Sequence, residues 1–266
     1  MGEIHMDFGI KNKVALVLAS SKGLGQAIAV SLAKEGVRVV ITGRDQADIK
    51  ATVEQVQGVG GVAYALPWDL YDLTLIDQKI AEVENQLGPI DILINNTGGP
   101  PPTTAANQSA QLWQENFNNL VLSIIKITDR VLPGMRERQW GRIITSTSSG
   151  MIAPIPNLAI SNALRASLMG WSKTLASEVA KDGVTVNIIL PGRIATNRLQ
   201  QLDEARAIRE NRTFEDVSSA NLATIPMRRY GKPQEYGDAA AFLASQQASY
   251  ITGTLLRVDG GATSSH

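Results

Sequence analysis

The sequence of 266 residues contains no cysteine and only two histidines, His5 and His266, one near each end. The absence of cysteine excludes disulfides, thiolate catalysis and cysteine-ligated metal, and it favours a cytoplasmic location. A metal site built from histidine, or a Ser-His-Asp triad, needs a histidine inside the folded chain. We therefore expect neither a metal centre nor a histidine-dependent hydrolase.

Net charge and long apolar runs are also missing. Lys plus Arg and Asp plus Glu number 25 each, so the overall charge favours neither nucleic acid nor an anionic membrane as a partner. The longest apolar stretches, such as Val14–Ala19, are far shorter than the roughly 20 residues that span a bilayer. Hydrophobic residues make up 44% of the chain, which is typical of a globular protein with a sizeable core.

Short apolar runs rich in β-branched residues recur along the chain, and we predict them as buried strands. The predicted strands are Lys13–Ala19, Val37–Thr42, Val62–Leu66, Ile90–Asn95, Gly141–Thr147, Val184–Leu190 and Thr254–Val258. Between them, the spacing of apolar side chains such as Leu24, Ile28 and Leu32 predicts amphipathic helices. Strand and helix alternate without a linker. We therefore expect one doubly wound Rossmann domain over residues 1–266, an α/β fold with a seven-stranded parallel sheet and helices on both faces.

The segment 194–225 interrupts this alternation. It carries the charged helical stretch Leu199–Arg212 between a strand and the next regular helix. An insertion of this length is typical of a substrate lid. A solvated surface helix is the alternative, and the sequence does not choose between the two.

A glycine-containing loop follows the first predicted strand and leads into a helix. Its residues are Ser20, Ser21, Lys22, Gly23, Leu24 and Gly25. A dinucleotide-binding fingerprint requires this context, because glycines let the backbone approach a pyrophosphate and the helix N-terminus stabilises its charge. A simple tight turn at Gly23 and Gly25 is the alternative explanation.

Motifs in a characteristic order from Lys13 to Gly261 resemble those of the short-chain dehydrogenases/reductases, especially the branch similar to β-ketoacyl-ACP reductases. Residues 18–25 are similar to the family's Thr-Gly-x-x-x-Gly-x-Gly loop, although Ala19 replaces a glycine and restricts φ there. Residues 95–98, Asn-Asn-Thr-Gly, are similar to its Asn-Asn-Ala-Gly signature, and residues 191–196 resemble its Pro-Gly-x-x-x-Thr segment beside the nicotinamide. The resemblance implies that further cofactor contacts come from Asp69, Leu70, Asn96, Thr97, Gly98, Pro191, Gly192, Ile194 and Thr196.

The choice of cofactor depends on the end of the second predicted strand, which reads Thr42-Gly43-Arg44. Enzymes that prefer NAD place an acid there, about 20 residues after the glycines. An acid repels a 2′-phosphate, whereas Arg44 can bind one bidentately, and Lys22 lies where the family often uses a second cation. We therefore predict NADP(H) rather than NAD(H). Ribose binding by Asp45, with Arg44 merely solvated, is the alternative.

The resemblance also locates the expected catalytic residues, and here the sequence departs from the family. In the family a tyrosine protonates the carbonyl oxygen as hydride arrives, a lysine four residues later lowers its pKa and holds the nicotinamide ribose, and a serine thirteen residues earlier binds the substrate oxygen. Alignment through Gly141–Ile144 places Ser148 at the serine position, Ser161 at the tyrosine and Arg165 at the lysine. Some family members also carry Ser-Asn-x-x-Arg in place of Tyr-x-x-x-Lys.

These replacements weaken proton delivery, because a serine hydroxyl is far less acidic than a phenol and a guanidinium stays protonated. Losing a positioned general acid typically costs about 10²- to 10⁴-fold in rate. We expect Arg165 to hold the ribose and to stabilise oxyanion charge, with water as the proton source; an ion pair at a surface or interface is the alternative. Asn119 is a candidate for the family's relay asparagine, although alignment without a gap places Leu120 there.

The sequence leaves several functions open. The first is an NADP(H)-dependent short-chain oxidoreductase that acts on a small carbonyl or alcohol substrate with altered proton delivery. The second is a catalytically impaired NADP(H)-binding protein with a regulatory or structural role, and the third is non-redox chemistry such as an elimination or isomerisation. Helices over about Ala110–Glu137 and Ser161–Lys181 resemble those that pair subunits in the family, so we expect a homodimer or homotetramer by analogy.

Overall fold

The computed structural model of the chain describes residues 7–264. Seven parallel strands form one sheet. They are β1 Val14–Val17, β2 Arg38–Gly43, β3 Val62–Pro67, β4 Ile92–Asn95, β5 Gly141–Ser146, β6 Val184–Pro191 and β7 Leu255–Val258. Each strand overlaps its predicted run, so the predicted seven-stranded parallel sheet is confirmed.

The strands lie in the order β3-β2-β1-β4-β5-β6-β7. Winding therefore proceeds outward in two directions from the neighbouring strands β1 and β4. Val17 of β1 pairs with Ile41 on one side and with Ile94 on the other. Open sheets of this kind bind ligands in the crevice beyond the carboxyl ends of the strands at this switch point.

The helices fill the connections between strands. They are α1 Gly23–Lys34, α2 Gln46–Gly58, α3 Ile76–Leu87, α4 Ala110–Phe117, α5 Ser123–Glu137, α6 Ala159–Val179, α7 Asn197–Glu210, α8 Phe214–Ala223 and α9 Pro233–Ala244. Several begin at a side chain that accepts a hydrogen bond from a first-turn amide, as Asp45 does for α2 and Thr213 for α8. Such caps satisfy amides that have no partner within the helix.

Two hydrophobic clusters cover the two faces of the sheet. Alternate residues of β1 show the division, since Ala15 and Val17 pack with α1, α2 and α9, whereas Leu16 packs with α3, α5 and α6. Successive side chains of a strand point to opposite faces, so a strand covered on both sides is apolar throughout. The predicted placement of helices on both faces is therefore confirmed.

The segment 194–225 forms the helices α7 and α8, and a buried carboxylate holds them to the rest of the chain. Asp203 of α7 accepts hydrogen bonds from Arg193 Nη1 at 3.2 Å, Asn221 Nδ2 at 2.9 Å and Tyr230 Oη at 2.9 Å. Three donors satisfy a carboxylate that is otherwise expensive to bury. The segment is thus a folded helical pair anchored at its middle, and its role as a lid stays a prediction.

No helix within residues 7–264 is long and apolar enough to cross a membrane. The same residues contain no group of three or more His, Asp or Glu side chains that could hold a metal ion. The two histidines on which the sequence argument rested, His5 and His266, lie outside the described residues.

Candidate active site

A cavity of about 660 Å³ opens where the carboxyl ends of β1, β4, β5 and β6 meet. Its wall includes many residues that the sequence singled out. They are Leu24, Asn96, Thr97, Ser148, Ser161, Arg165, Pro191, Gly192, Ile194 and Thr196. The tertiary structure therefore brings the predicted serines and arginine together with part of the predicted cofactor set.

The first turn after β1 is held in a left-handed conformation by a non-glycine residue. Ala19 has φ of 45°, a region that costs an L-residue about 1–2 kcal/mol. Its amide donates to Thr42 Oγ1 at 2.8 Å, which ties the turn to β2. Alanine thus adopts a conformation that glycine adopts freely, and the turn keeps its shape at a cost in strain.

Gly25 allows this turn to pack against the start of α1. A Cβ on Gly25 would lie 2.5 Å from Ala19 O and 2.8 Å from Ser20 Cα, so only glycine fits. Asn96 closes the other side of the turn, because its Nδ2 donates to Leu18 O at 3.2 Å and to Ala19 O at 3.1 Å. Lys22 is the N-cap residue of α1, and its side chain makes no capping hydrogen bond. The first amides of this helix therefore remain available to an anion.

The side chains of the opening loop have mainly structural contacts. Ser20 Oγ donates to Val17 O at 2.7 Å and accepts from Thr42 N at 2.9 Å. Lys22 Nζ lies 2.9 Å from Asp48 Oδ2 on α2. The buried Ser21 accepts a hydrogen bond at its backbone oxygen from Thr52 Oγ1. The loop therefore offers a ligand its backbone amides more directly than its hydroxyl groups.

Arg44 is exposed immediately after β2 and has no acidic partner within residues 7–264. Its guanidinium carbon lies 5.5 Å from the ring centroid of Tyr71, within the range of a cation–π contact. The neighbouring Asp45 accepts a hydrogen bond from Asp48 N and caps α2. Asp45, which the sequence offered as an alternative ligand for the ribose, therefore already accepts a hydrogen bond from α2.

Tyr71 belongs to this region although the sequence argument did not select it. Asp69 Oδ1 accepts from Tyr71 N at 3.1 Å, and Leu70 between them is buried. The Tyr71 hydroxyl would lie 3.7 Å from a Cβ on Gly98, so the ring extends from Arg44 towards the segment after β4. The aromatic residue directly after Asp69 and Leu70 was the available signal in the sequence.

Arg165 is buried, with 5% of its surface exposed, and the oxygens that it contacts are neutral. Its Nη2 donates to Gly98 O at 3.2 Å and to Thr97 Oγ1 at 3.3 Å, and its Nη1 donates to Ser146 O at 3.5 Å. Burial lowers the pKa of Arg165 to about 10. The alternative of a surface ion pair does not fit this placement, because no carboxylate of the described chain pairs with the guanidinium.

Ser148 and Ser161 contribute hydroxyl groups to the same cavity. Ser148 Oγ accepts a hydrogen bond from Gly150 N at 3.1 Å, which leaves its own hydrogen free to donate. Ser161 is 7% exposed, and its hydroxyl has no hydrogen-bond partner in the described part of the chain. Neighbouring Asn162 donates to Ile155 O at 2.9 Å and so supports the wall instead. The site can present hydroxyl donors and a fixed cation to a ligand oxygen.

Tyr236 of α9 comes near this site from beneath the sheet. Its Oη lies 2.9 Å from Ser146 Oγ and donates to Ile189 O at 3.1 Å. Burial raises the pKa of Tyr236, and none of the described residues in the cavity wall is a tyrosine. A phenol that is buried in this way and bonded to a carbonyl is a poor proton donor.

Asn119 does not line the cavity with the serines. It lies in a π-helical segment, Asn118–Leu122, between α4 and α5, and its carbonyl oxygen accepts from Ser123 Oγ at 2.8 Å. Leu120, the residue that ungapped alignment favoured, is buried against Leu168 of α6. The relay role of Asn119 therefore stays a prediction.

Comparison with known proteins agrees with this architecture. A family model described as enoyl-(acyl carrier protein) reductase matches residues 18–263. Nodulation protein G of Azospirillum brasilense is 35% identical over 253 residues, covering 95% of this chain and 98% of the relative. The 3-oxoacyl-[acyl-carrier-protein] reductase FabG of Escherichia coli is 34% identical over 253 residues, covering 94% and 97%.

Solved structures give the same result. YwfH, an NADPH-dependent reductase involved in bacilysin biosynthesis, superposes with a TM-score of 0.90 at 30% identity, covering 96% of this chain and 99% of YwfH. L-sorbose reductase from Gluconobacter frateurii, solved with NADPH and L-sorbose, superposes with a TM-score of 0.92 at 30% identity, covering 98% and 100%. Both neighbours span nearly the whole of this chain.

Proposed function

The chain belongs to the short-chain dehydrogenase/reductase family, and on that premise we propose that it is an NADP(H)-dependent oxidoreductase that acts on a carbonyl or alcohol substrate without the usual tyrosine and lysine. The observation that carries the proposal is the meeting of Ser148, Ser161 and Arg165 in one cavity that adjoins the turn at Gly25. These groups provide what a carbonyl oxygen needs as it gains negative charge.

The residues present fit a dinucleotide. The space at Gly25, which a Cβ would fill, and the uncapped start of α1 suit a pyrophosphate. Arg44, which lacks an acidic partner among the described residues, suits the 2′-phosphate of NADP(H) and is the reason for preferring it to NAD(H). When bound, the cofactor supplies or accepts hydride.

The chain's own groups bind and polarise the substrate. Ser148 and Ser161 donate hydrogen bonds to the carbonyl oxygen, and Arg165 stabilises the negative charge that develops there. A buried guanidinium such as that of Arg165 stabilises this charge more strongly than a guanidinium in bulk water does. The proton is taken from water, since no described residue of the cavity wall offers an acidic phenol.

A binding experiment tests the cofactor assignment. We expect calorimetry to give a dissociation constant for NADPH about ten-fold or more below that for NADH, since a charge-assisted contact to the 2′-phosphate contributes about 1.5–3 kcal/mol. Arg44→Gln is expected to remove this preference. Lys50→Gln on α2 is the matched control and is expected to keep it. No binding of either nucleotide contradicts the assignment.

An activity experiment tests the reaction. A panel of aldehydes and ketones is mixed with protein and NADPH, a panel of alcohols is mixed with protein and NADP⁺, and the absorbance of NADPH is followed. We expect turnover that is slow for the family, because a positioned acid is missing. Tight NADPH binding without turnover of any carbonyl or alcohol contradicts the oxidoreductase and favours the second candidate, an NADP(H)-binding regulatory or structural protein. The absence of a tyrosine from the described cavity wall is the observation in favour of that candidate.

Two expectations from the sequence, a cytoplasmic location and a homodimer or homotetramer, stay predictions. Light scattering of the purified chain at micromolar concentration tests the second.

A further inference from the structure

The cavity wall carries more positive than negative side chains. The arginines in it are Arg165, Arg193, Arg198, Arg206 and Arg209, and the acids are Asp203, Glu210 and Asp259. The number of arginines does not by itself give the positive charge that a ligand meets, because arginines paired with carboxylates are neutralised.

Most of these charges neutralise one another. Arg193 Nη1 lies 3.2 Å from Asp203 Oδ1, and Arg206 Nε lies 2.7 Å from Glu210 Oε1. Arg209 also reaches Glu210, at 3.9 Å. Asp259 accepts hydrogen bonds from the backbone amides of residues 261 and 263. These pairs account for all the acids of the wall.

Arg165 and Arg198 are the cations of the wall that contact only neutral oxygens within residues 7–264. Both lie along the segment 97–100 after β4. Arg165 donates to Thr97 and Gly98 from α6, whereas Arg198 Nη2 donates to Pro100 O at 2.9 Å from α7. Burial is the main cause that lowers the pKa of Arg165, and the nearby positive charge of Arg198 lowers it further. An anion bound between these elements relieves their repulsion.

The wall also carries a set of apolar side chains. It includes Ala153, Ile155, Pro156, Leu158, Leu199 and Leu202. These residues come from the loop after β5 and from α7. Such a surface suits a short hydrocarbon or aromatic group.

We propose that the substrate is an oxo acid whose carboxylate pairs with Arg198, whose carbonyl oxygen faces Ser148, Ser161 and Arg165, and whose apolar part packs against Leu199 and Leu202. This inference rests on the proposed oxidoreductase function and narrows its substrate class. Arg198 is then a specificity residue carried by the inserted segment. The pyrophosphate of the cofactor is also an anion and is the alternative partner of Arg198. The uncapped amides of α1, however, already suit the pyrophosphate.

The first experiment compares acids with their neutral esters. Benzoylformate is paired with methyl benzoylformate, and acetoacetate with ethyl acetoacetate, each with saturating NADPH. We expect Arg198→Gln to raise KM for the acids about ten-fold or more, with a smaller effect on kcat. The esters are expected to change by less than about two-fold, because only the acids lose a charge-assisted hydrogen bond. Arg209→Gln on the same helix is the matched control and is expected to leave the acid preference intact.

The second experiment separates the two anions. Calorimetry gives the dissociation constant of NADPH for the wild-type protein and for Arg198→Gln. We expect a change of less than about two-fold, because the carboxylate and not the pyrophosphate is the partner of Arg198. A ten-fold loss of NADPH affinity, or equal losses for acids and esters, overturns the inference in favour of a cofactor contact.

Failure of this inference and failure of the proposed function are distinguishable. If no carbonyl compound is turned over, benzoylformate is titrated into the complex with NADP⁺. Binding that Arg198→Gln abolishes supports the anion site even though the reductase assignment has failed. Turnover of the esters with no advantage for either acid overturns the oxo-acid inference and leaves the oxidoreductase standing.

Discussion

Two buried arginines lie at opposite ends of β5 and differ in what surrounds them. Arg142 is the second residue of the strand, and its Nε donates to Ser245 O at 3.2 Å and its Nη1 to Gly141 O at 2.9 Å. Arg165 donates to the carbonyl oxygen of Ser146, the last residue of the same strand. Their exposed fractions are 2% and 5%, and burial lowers the pKa of each to about 10.

Burial and pKa therefore do not separate a structural arginine from a candidate functional one. Arg142 lies at the amino end of the strand, where its guanidinium carbon is 4.5 Å from the Trp140 ring centroid and its acceptors include the carbonyl oxygens of Ser245 and Gly141. Arg165 lies at the carboxyl end, and part of its guanidinium faces the cavity. In parallel sheets the carboxyl ends of the strands are where ligands bind, so position along the strand is the informative difference.

The largest expected effect is on folding at the amino end. Arg142→Met keeps much of the side-chain volume but leaves buried carbonyl oxygens without donors. We expect the free energy of unfolding to fall by about 3 kcal/mol, since each unsatisfied buried acceptor costs about 1–3 kcal/mol. Urea denaturation measures this. Arg136→Met is the control, because Arg136 is half exposed beside Asp182 and a surface pair contributes about 0–1 kcal/mol. An Arg142→Met protein as stable as wild type contradicts the structural role assigned to Arg142.

The same substitution at the carboxyl end is expected to affect chemistry. We expect Arg165→Met to lower kcat/KM about 10²-fold, the effect of losing one donor to a developing oxyanion. The free energy of unfolding is expected to fall as well, by about 1–3 kcal/mol, because the buried carbonyl oxygens of Ser146 and Thr97 lose a donor. Steady-state kinetics and urea denaturation provide both values. Unchanged turnover together with unchanged NADPH affinity contradicts a role for Arg165 in substrate or cofactor binding.

Tyr236 tests whether the buried phenol beneath the site takes part in the reaction. Tyr236→Phe removes one hydroxyl and leaves Ser146 Oγ and Ile189 O with one partner fewer. We expect a loss of about 1–2 kcal/mol of stability and a change in turnover of less than about three-fold. A fall of about 10²-fold or more is the signature of a general acid and assigns proton delivery to Tyr236. Tyr250→Phe, at a fully exposed tyrosine, is the control.

Ala19→Gly has the smallest expected effect. It relieves a left-handed alanine that costs about 1–2 kcal/mol, but glycine adds about 0.5–1 kcal/mol of unfolded-state entropy. We expect a net gain of about 0.5 kcal/mol in thermal or urea unfolding, with NADPH affinity unchanged. Ala47→Gly in the exposed part of α2 is the control and is expected to lose about 1 kcal/mol. Destabilisation by Ala19→Gly contradicts the strain argument.

Much of the fold was predictable because its signals are local. The runs that became β1 and β4 are buried along their whole length, as strands covered by two helical layers must be. The resemblance to the family assigned Ser148, Ser161 and Arg165 to its catalytic positions. The acidic partners of the cavity arginines were not predictable. Arg193 and Arg198 lie close together in the sequence and carry the same charge, yet only Arg193 forms an ion pair with Asp203. The reason is that the fold of α7 turns that carboxylate inward.

Tyr71 and Tyr236 show the same limit for aromatic residues. The Tyr71 hydroxyl lies near Gly98 and the Tyr236 hydroxyl bonds to Ser146, and in both cases the two residues are far apart in the sequence. Asp69 and Leu70 beside Tyr71 mark its region, but no neighbouring residue indicates which group either tyrosine approaches, because that depends on which strands lie side by side.

The sequence by itself determined the alternation of strands and helices, the glycine turn and the loss of the tyrosine and lysine from their usual positions, because each is written in residues close together along the chain. Only the tertiary structure decided that Arg165 is buried against neutral oxygens and that Asp203 accepts hydrogen bonds from three donors. It also decided that Arg198 has no acid beside it in the described chain. Charge pairing is a matter of distances in space, and folding sets those distances between segments far apart in sequence.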